Sequence, residues 1–418
     1  MPWLQLQSAF GLGVLILISW VLSENRREAF SLRLVVAAVA LQLGLALLLL
    51  EVSPARSALY SLNAVVDALT RATQAGTSFV FGFIGGGTPP FEVTKPTNAY
   101  SLAFQALPLI LVMSALSALL WHWRVLPVIV KGFAWVLQRA LSIGGAVGLG
   151  SAATIFLGMI EAPLLIRPYL PKLTRAELFM LFTVGLATVA GTVMVLYATV
   201  LEPVVPGALG HILVASMISL PSAILTARLM VPGKSTTSAQ THQEVEYRSS
   251  MDAIARGTED GMKLYLGIIA MLIVMVALVA LVNIIIGQLP LVGGAPLTVE
   301  RMFGWLFSPL VWLYRIPASE AADAGALLGT KSILNEFLAY LKMAALPEGV
   351  LSPRSRLIML YAMCGFANFG SVGIMIAGVS GMVPERRHDV VQLALRALVS
   401  GTIASGMTGC VVGIMTPG

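Results

Sequence analysis

Stretches of about 20 apolar residues separated by short charged loops recur along the whole chain, and a helix of that length crosses the hydrocarbon core of a bilayer. They fall at 3–22, 32–50, 100–122, 176–200, 207–229, 264–288, 355–381 and 389–416. Inside a membrane every backbone N–H and C=O must find a partner without water, so a chain built this way is restricted to an all-α polytopic fold. Composition bears on one alternative. Only 11% of the 418 residues are charged and 57% are hydrophobic, too little polar cover for a water-facing surface. The excess of 26 Lys+Arg over 20 Asp+Glu sits between the apolar stretches, where it sets orientation and is no footprint for nucleic acid.

The first stretch has no basic residues before it; Glu24, Arg26, Arg27, Glu28 and Arg33 come after it. A cleavable signal has the reverse order, so the segment reads as a first span with its N-terminus outside. Basic residues then cluster in alternate loops: Arg26, Arg27 and Arg33 in 23–33, Arg167, Lys172 and Arg175 in 167–175, and Arg386 and Arg387 in 385–388. The loop 201–211 has neither Lys nor Arg. Eight transmembrane helices with both termini on the outer side satisfy this alternation.

Segments 55–74 and 124–141 mix apolar residues with charges such as Asp67, Arg71, Lys131 and Arg139, and read as interfacial helices. The hydrophilic stretch 232–262 reads as a cytoplasmic linker, helical near Met251–Asp260. Two further segments, Ile143–Pro168 and Ala322–Pro347, are apolar enough to enter the membrane, yet small or polar residues interrupt each of them. The orientation count places the flanking charges of the first inside and of the second outside. Each therefore reads as a re-entrant helical hairpin, entering from opposite faces. Hairpin and two spans then occur twice with opposite orientation, an inverted repeat of the kind that builds secondary transporters. Four parts follow: 1–142 with spans 1–3 and the interfacial helices; 143–231, the first repeat; 232–321 with the linker, span 6 and an external interfacial segment; and 322–418, the second repeat.

Glu161 and Glu336 fall at the two hairpin interruptions. A carboxylate at membrane depth costs several kcal/mol unless solvated, paired or protonated, so it marks a solute or proton site by default. The alternative is a structural role, with pairing to Lys331 or to backbone amides. Ionised carboxylates accept two hydrogen bonds at once, which suits a vicinal diol such as ribose. Span 355–381 carries Gly365-Phe366-Ala367-Asn368-Phe369-Gly370-Ser371, and its counterpart carries Ala187-Thr188-Val189-Ala190-Gly191-Thr192. Either run could be a packing seam of small residues or the wall of a polar cavity. Enzyme chemistry lacks its groups: His122, His211, His242 and His388 are scattered, and Cys364 and Cys410 have no ligand-spaced neighbours. No metal site is indicated. A passive channel would need no buried carboxylates.

These residues resemble the concentrative nucleoside transporter family. The matching runs are Phe104-Gln105-Ala106-Leu107-Pro108, Gly158-x-x-Glu161-Ala162-Pro163, Asp260-Gly261, Lys331-x-x-x-Asn335-Glu336-Phe337, Cys364-Gly365-Phe366-Ala367-Asn368-Phe369 and Pro384-Glu385-Arg386-Arg387. The resemblance implies a homotrimer in a bacterial inner membrane. Each eight-span protomer would hold a scaffold and a mobile part bearing both hairpins, taking up a nucleoside with no cofactor beyond a coupling ion. It puts the ribose on Glu336, Asn368 and Ser371, with Asn335 and Glu161 beside them. The family's first hairpin usually reads Gly-Gln-Thr-Glu or Gly-Gln-Ser-Glu, the two middle positions meeting the base; here these are Met159 and Ile160. A broad or altered base preference follows as an expectation, or another ribosyl solute. Sodium-coupled members place an Asn where this chain has Thr154 and a Ser where it has Thr188. The carbonyls of Leu157 and Val189 would complete such a site, while loss of the Asn favours a proton, H+ over Na+, with Glu161 or Glu336 titrating.

Overall fold

In the computed structural model, which describes residues 2–94, 100–233, 237 and 247–416, the regular elements are helical, and among the described residues β-pairing is confined to two isolated bridges. The first third holds α1 (Pro2–Val21), α2 (Arg26–Ala29), α3 (Leu32–Leu50), α4 (Ser53–Phe81), α5 (Leu109–His122) and α6 (Val125–Leu141). The interfacial segments expected at 55–74 and 124–141 fall in α4 and α6. The first of these runs past its expected end, stopping only at Gly82, whose φ of 60° is a conformation that side chains resist.

Two similar series follow. The first is α7 (Gly145–Ala153), α8 (Glu161–Leu165), α9 (Arg175–Ala187), α10 (Gly191–Leu201) and α11 (Ala208–Met230). Then come α12 (Ser250–Ile286) and α13 (Val299–Leu313). The second series is α14 (Ala321–Ile333), α15 (Glu336–Ala345), α16 (Pro353–Met363), α17 (Phe369–Met382) and α18 (Arg387–Met415). In each series a helix–break–helix hairpin is followed by a broken helix pair and then by one unbroken helix. Among the described residues six segments are long and apolar enough to cross a bilayer, and the apolar helices at Gln5–Val21 and Phe369–Met382 are shorter. Spans 4 and 7 of the sequence reading are thus the broken pairs α9/α10 and α16/α17.

Capping explains where the breaks fall. Asn335 and Asn368 have extended backbones, and each turns its Oδ1 back onto the first turn of the next helix. Asn335 accepts from the Leu338 N–H at 2.8 Å and Asn368 from the Ser371 N–H at 2.7 Å. Thr174 and Glu177 form a reciprocal capping box that starts α9. The helix expected near Met251–Asp260 exists, but it is continuous with span 6. Ser249 caps it, and 37 residues run unbroken for about 55 Å. Of 234–246 in the linker, only Thr237 lies among the described residues.

Helices α9, α10, α11 and α18 form the buried interior, whereas α12 exposes its apolar face along its whole spanning part. Gly257 and Gly261, one turn apart, seat α12 on α5; a Cβ at 257 would lie 2.8 Å from Ala115 Cα and Ala118 Cβ. Such small-residue seams let helix backbones approach where lipid removes the hydrophobic drive for association. The unbroken helices of the two series are stitched by hydroxyls: Ser219 to Thr408 at 2.8 Å, Ser222 to the Ala404 carbonyl at 3.1 Å, and Ser400 to Thr226 at 3.1 Å.

Candidate functional site

A helix interruption leaves backbone donors and acceptors without their usual partners. The four interruptions, at 154–160, 188–190, 334–335 and 364–368, are joined in part by bonds between them. The Gly191 N–H donates to the Phe156 carbonyl and the Phe366 N–H to the Thr188 carbonyl, each at 3.2 Å. The Val189 N–H donates to Ser216 Oγ on α11 at 3.3 Å. Gly365 makes the second contact possible, since a Cβ there would lie 2.9 Å from the Leu186 carbonyl oxygen.

Beside this junction lies a cavity of about 560 Å³. Glu336, the first residue of α15, is almost fully buried in its wall. Tyr197 of α10 donates its hydroxyl to Glu336 Oε1 at 2.6 Å, and Asn368 donates Nδ2 to Oε2 at 3.0 Å. Each oxygen thus accepts one bond from protein. An ionised carboxylate has about four acceptor sites, so roughly two remain for a solute's hydroxyls. The Tyr197 ring stacks on Phe337 with centroids 5.7 Å apart. Ser371 follows on the first turn of α17 and also lines the cavity.

Glu161, the first residue of α8, lies in the same cavity wall. Its carboxylate lies close over the backbone of Gly158 in the hairpin turn. A side chain at Gly158 would collide with that carboxylate. Met159 and Ile160 lie between these two residues. Ile160 packs its end against Gly378 of α17, and Met159 backs onto Gly185 of α9.

All seven residues expected at the solute site (Met159, Ile160, Glu161, Asn335, Glu336, Asn368 and Ser371) line this one cavity. The residues expected at an ion site do so only at Glu161. Thr154, Leu157, Thr188 and Val189 lie outside its lining. Thr154 donates its hydroxyl to the Ser151 carbonyl at 2.7 Å and Thr188 to the Val184 carbonyl at 3.0 Å, leaving only oxygen lone pairs for a cation. Among the described residues no three His, Cys, Asp or Glu side chains group as metal ligands. Sequence reasoning missed Tyr197, whose only signal was a lone phenol in a mostly apolar span. It also missed the α12 wall, formed by Leu264, Gly267, Ile268 and Met271.

Three family profiles match successive parts of the chain: "Na+ dependent nucleoside transporter N-terminus" at 10–84, "Nucleoside recognition" at 103–204 and "Na+ dependent nucleoside transporter C-terminus" at 211–413. The nucleoside permease NupC of Helicobacter pylori is 32% identical, with 97% of each chain covered. The structure of CNTnw in an inward-facing substrate-bound state superposes with a TM-score of 0.90 at 35% identity, covering 99% of this chain and 98% of that one. A variant of CNTnw in an outward-facing state gives 0.89 with the same identity and coverage.

Proposed function

Because the chain belongs to the concentrative nucleoside transporter family, whose members are transporters and not enzymes, we propose that it imports nucleosides by alternating access, coupled to an ion gradient. The site is expected to hold the ribose on Glu336, Asn368 and Ser371, with Asn335 setting the start of α15 and the base lying against Met159 and Ile160. The observation that carries this is the pair of bonds on Glu336, which fix a carboxylate in the cavity with acceptor sites to spare. The part bearing both hairpins moves against a scaffold that includes α5 and α12, in the manner of an elevator. The protein sits as a homotrimer in a bacterial inner membrane with both termini outside.

The proton is the coupling ion in this reading, carried by Glu161. Glu161 is a carboxylate in the cavity wall, and intramembrane carboxylates serve as proton relays. A site of Thr154, Thr188 and the carbonyls of Leu157 and Val189 offers fewer oxygens than hard cations usually take. Uptake of labelled uridine and adenosine into proteoliposomes, with pH and sodium gradients imposed separately, tests the reading. Uptake driven by the pH gradient and lost in Glu336→Gln is the expected result. Uptake driven by sodium alone would move coupling to the threonine site. A folded protein that takes up neither nucleoside would support a second reading, favoured by the apolar Met159 and Ile160, in which the solute is another ribosyl compound.

A further inference from the structure

Lys331 stands in the last turn of α14 with its side chain completely buried. Among the described residues its Nζ has no hydrogen-bond partner and no carboxylate oxygen within 4.0 Å. A buried ammonium without a partner is strongly unfavourable, so something must compensate it. The negative end of α14 supplies part of that compensation. The titratable groups that act on it are Glu336 and the Cys364 thiol.

Glu336 presents the mirror problem. Both of its oxygens accept bonds, from Tyr197 and Asn368, which is the pattern of an ionised carboxylate. Such a group at membrane depth needs an opposite charge. The neighbours on packed elements do not supply one. Tyr197 on α10, Tyr340 on α15 and Cys364 in the α16–α17 break are neutral near pH 7 by their ordinary values. Helix α13 presents Phe303 to this end of α14. Arg356 on α16 is spent on the carbonyls of Leu346, Pro347 and Leu351, and Lys342 on Glu300. Lys331 is the cation left to act on Glu336.

We propose that Lys331 is the fixed countercharge that keeps Glu336 in its acceptor-only carboxylate form, making it a positioning residue for the solute's hydroxyls. This rests on the assignment of Glu336 to the ribose. It also separates the two carboxylates: Glu336 stays ionised through the cycle, and Glu161 is left to carry the proton. Without the ammonium, Glu336 takes up a proton, gains a donor and loses acceptor capacity.

The test uses the full-length protein in liposomes, with wild type, Lys331→Met, Lys331→Arg and the double variant Lys331→Met/Glu336→Gln. In Lys331→Met the KM for uridine should rise at least tenfold at neutral pH and fall back as the pH is raised. Lys331→Arg should keep the wild-type pH profile. Infrared spectra without nucleoside give a readout independent of transport. A protonated-carboxyl stretch beyond any that Glu161 gives in wild type should appear at neutral pH in Lys331→Met and be absent from the double variant. If Lys331→Met cannot be purified, Lys331→Gln carries the same comparison. A wild-type pH profile in the single variant, with no new carboxyl band, overturns the proposal. Should the wild-type protein take up no uridine, the solute reading fails, while the infrared comparison still decides the countercharge.

Discussion

Tyr197 and Glu336, 139 residues apart, are joined by a buried 2.6 Å hydrogen bond in which the phenol donates to the carboxylate. It ties α10 of the first series to α15 of the second in the cavity wall. Replacing Tyr197 with Phe removes the donor and keeps the ring that stacks on Phe337. Leaving a buried acceptor unsatisfied costs about 1–3 kcal/mol, so the KM for uridine should rise about 5- to 150-fold. Initial-rate uptake checks the KM, and a thermal shift against wild type checks the fold. An unchanged KM would detach Glu336 from the solute.

Much of this site was legible because its residues break a pattern. Glu161 and Glu336 are carboxylates in apolar segments, and Asn335 and Asn368 are helix-capping residues inside apolar segments, so each stands out against its background. The α12 wall does not. Leu264, Ile268 and Met271 look the same in sequence whether they face lipid or a cavity, and only the packing of α12 on α5 decides. Tyr197 needed a tertiary partner to become meaningful, and that partner lies in the other half of the chain. The expected ion site was the least legible part, because Thr154 and Thr188 bond within their own helices. A hydroxyl that does this in a span is common with or without a cation.

The junction of the breaks depends on backbone proximity at Gly365. A methyl group there would stand 2.9 Å from the Leu186 carbonyl oxygen and from the Ala187 carbonyl carbon. Backbone cannot yield as a flexible side chain would, and overpacking of this kind costs about 1–3 kcal/mol. Gly365→Ala should therefore lower the melting temperature in detergent and lose most uptake, since the Phe366–Thr188 bond must lengthen. Gly381→Ala is the matched control, because a Cβ at that position meets nothing within 4 Å. Equal behaviour of the two variants would show that the breaks are not held in register by this contact.

Selectivity should follow from Met159. An apolar wall distinguishes solutes by shape, where one methylene is worth about 1–3 kcal/mol, whereas a buried amide rejects solutes lacking its partner by orders of magnitude. With Met159 and Ile160 between Gly158 and Glu161, the wild-type protein should accept uridine, cytidine, adenosine and inosine with inhibition constants spread over about tenfold. Met159→Gln is close to isosteric, so the tight contact with Gly185 should survive. It introduces one donor pair and one acceptor at the cavity wall. Bases that match this set should retain affinity and those that do not should lose it, widening the spread about tenfold or more. Competition of each nucleoside against labelled uridine, in wild type and variant, measures the spread directly. An unchanged ranking would mean that the base does not lie against the first hairpin.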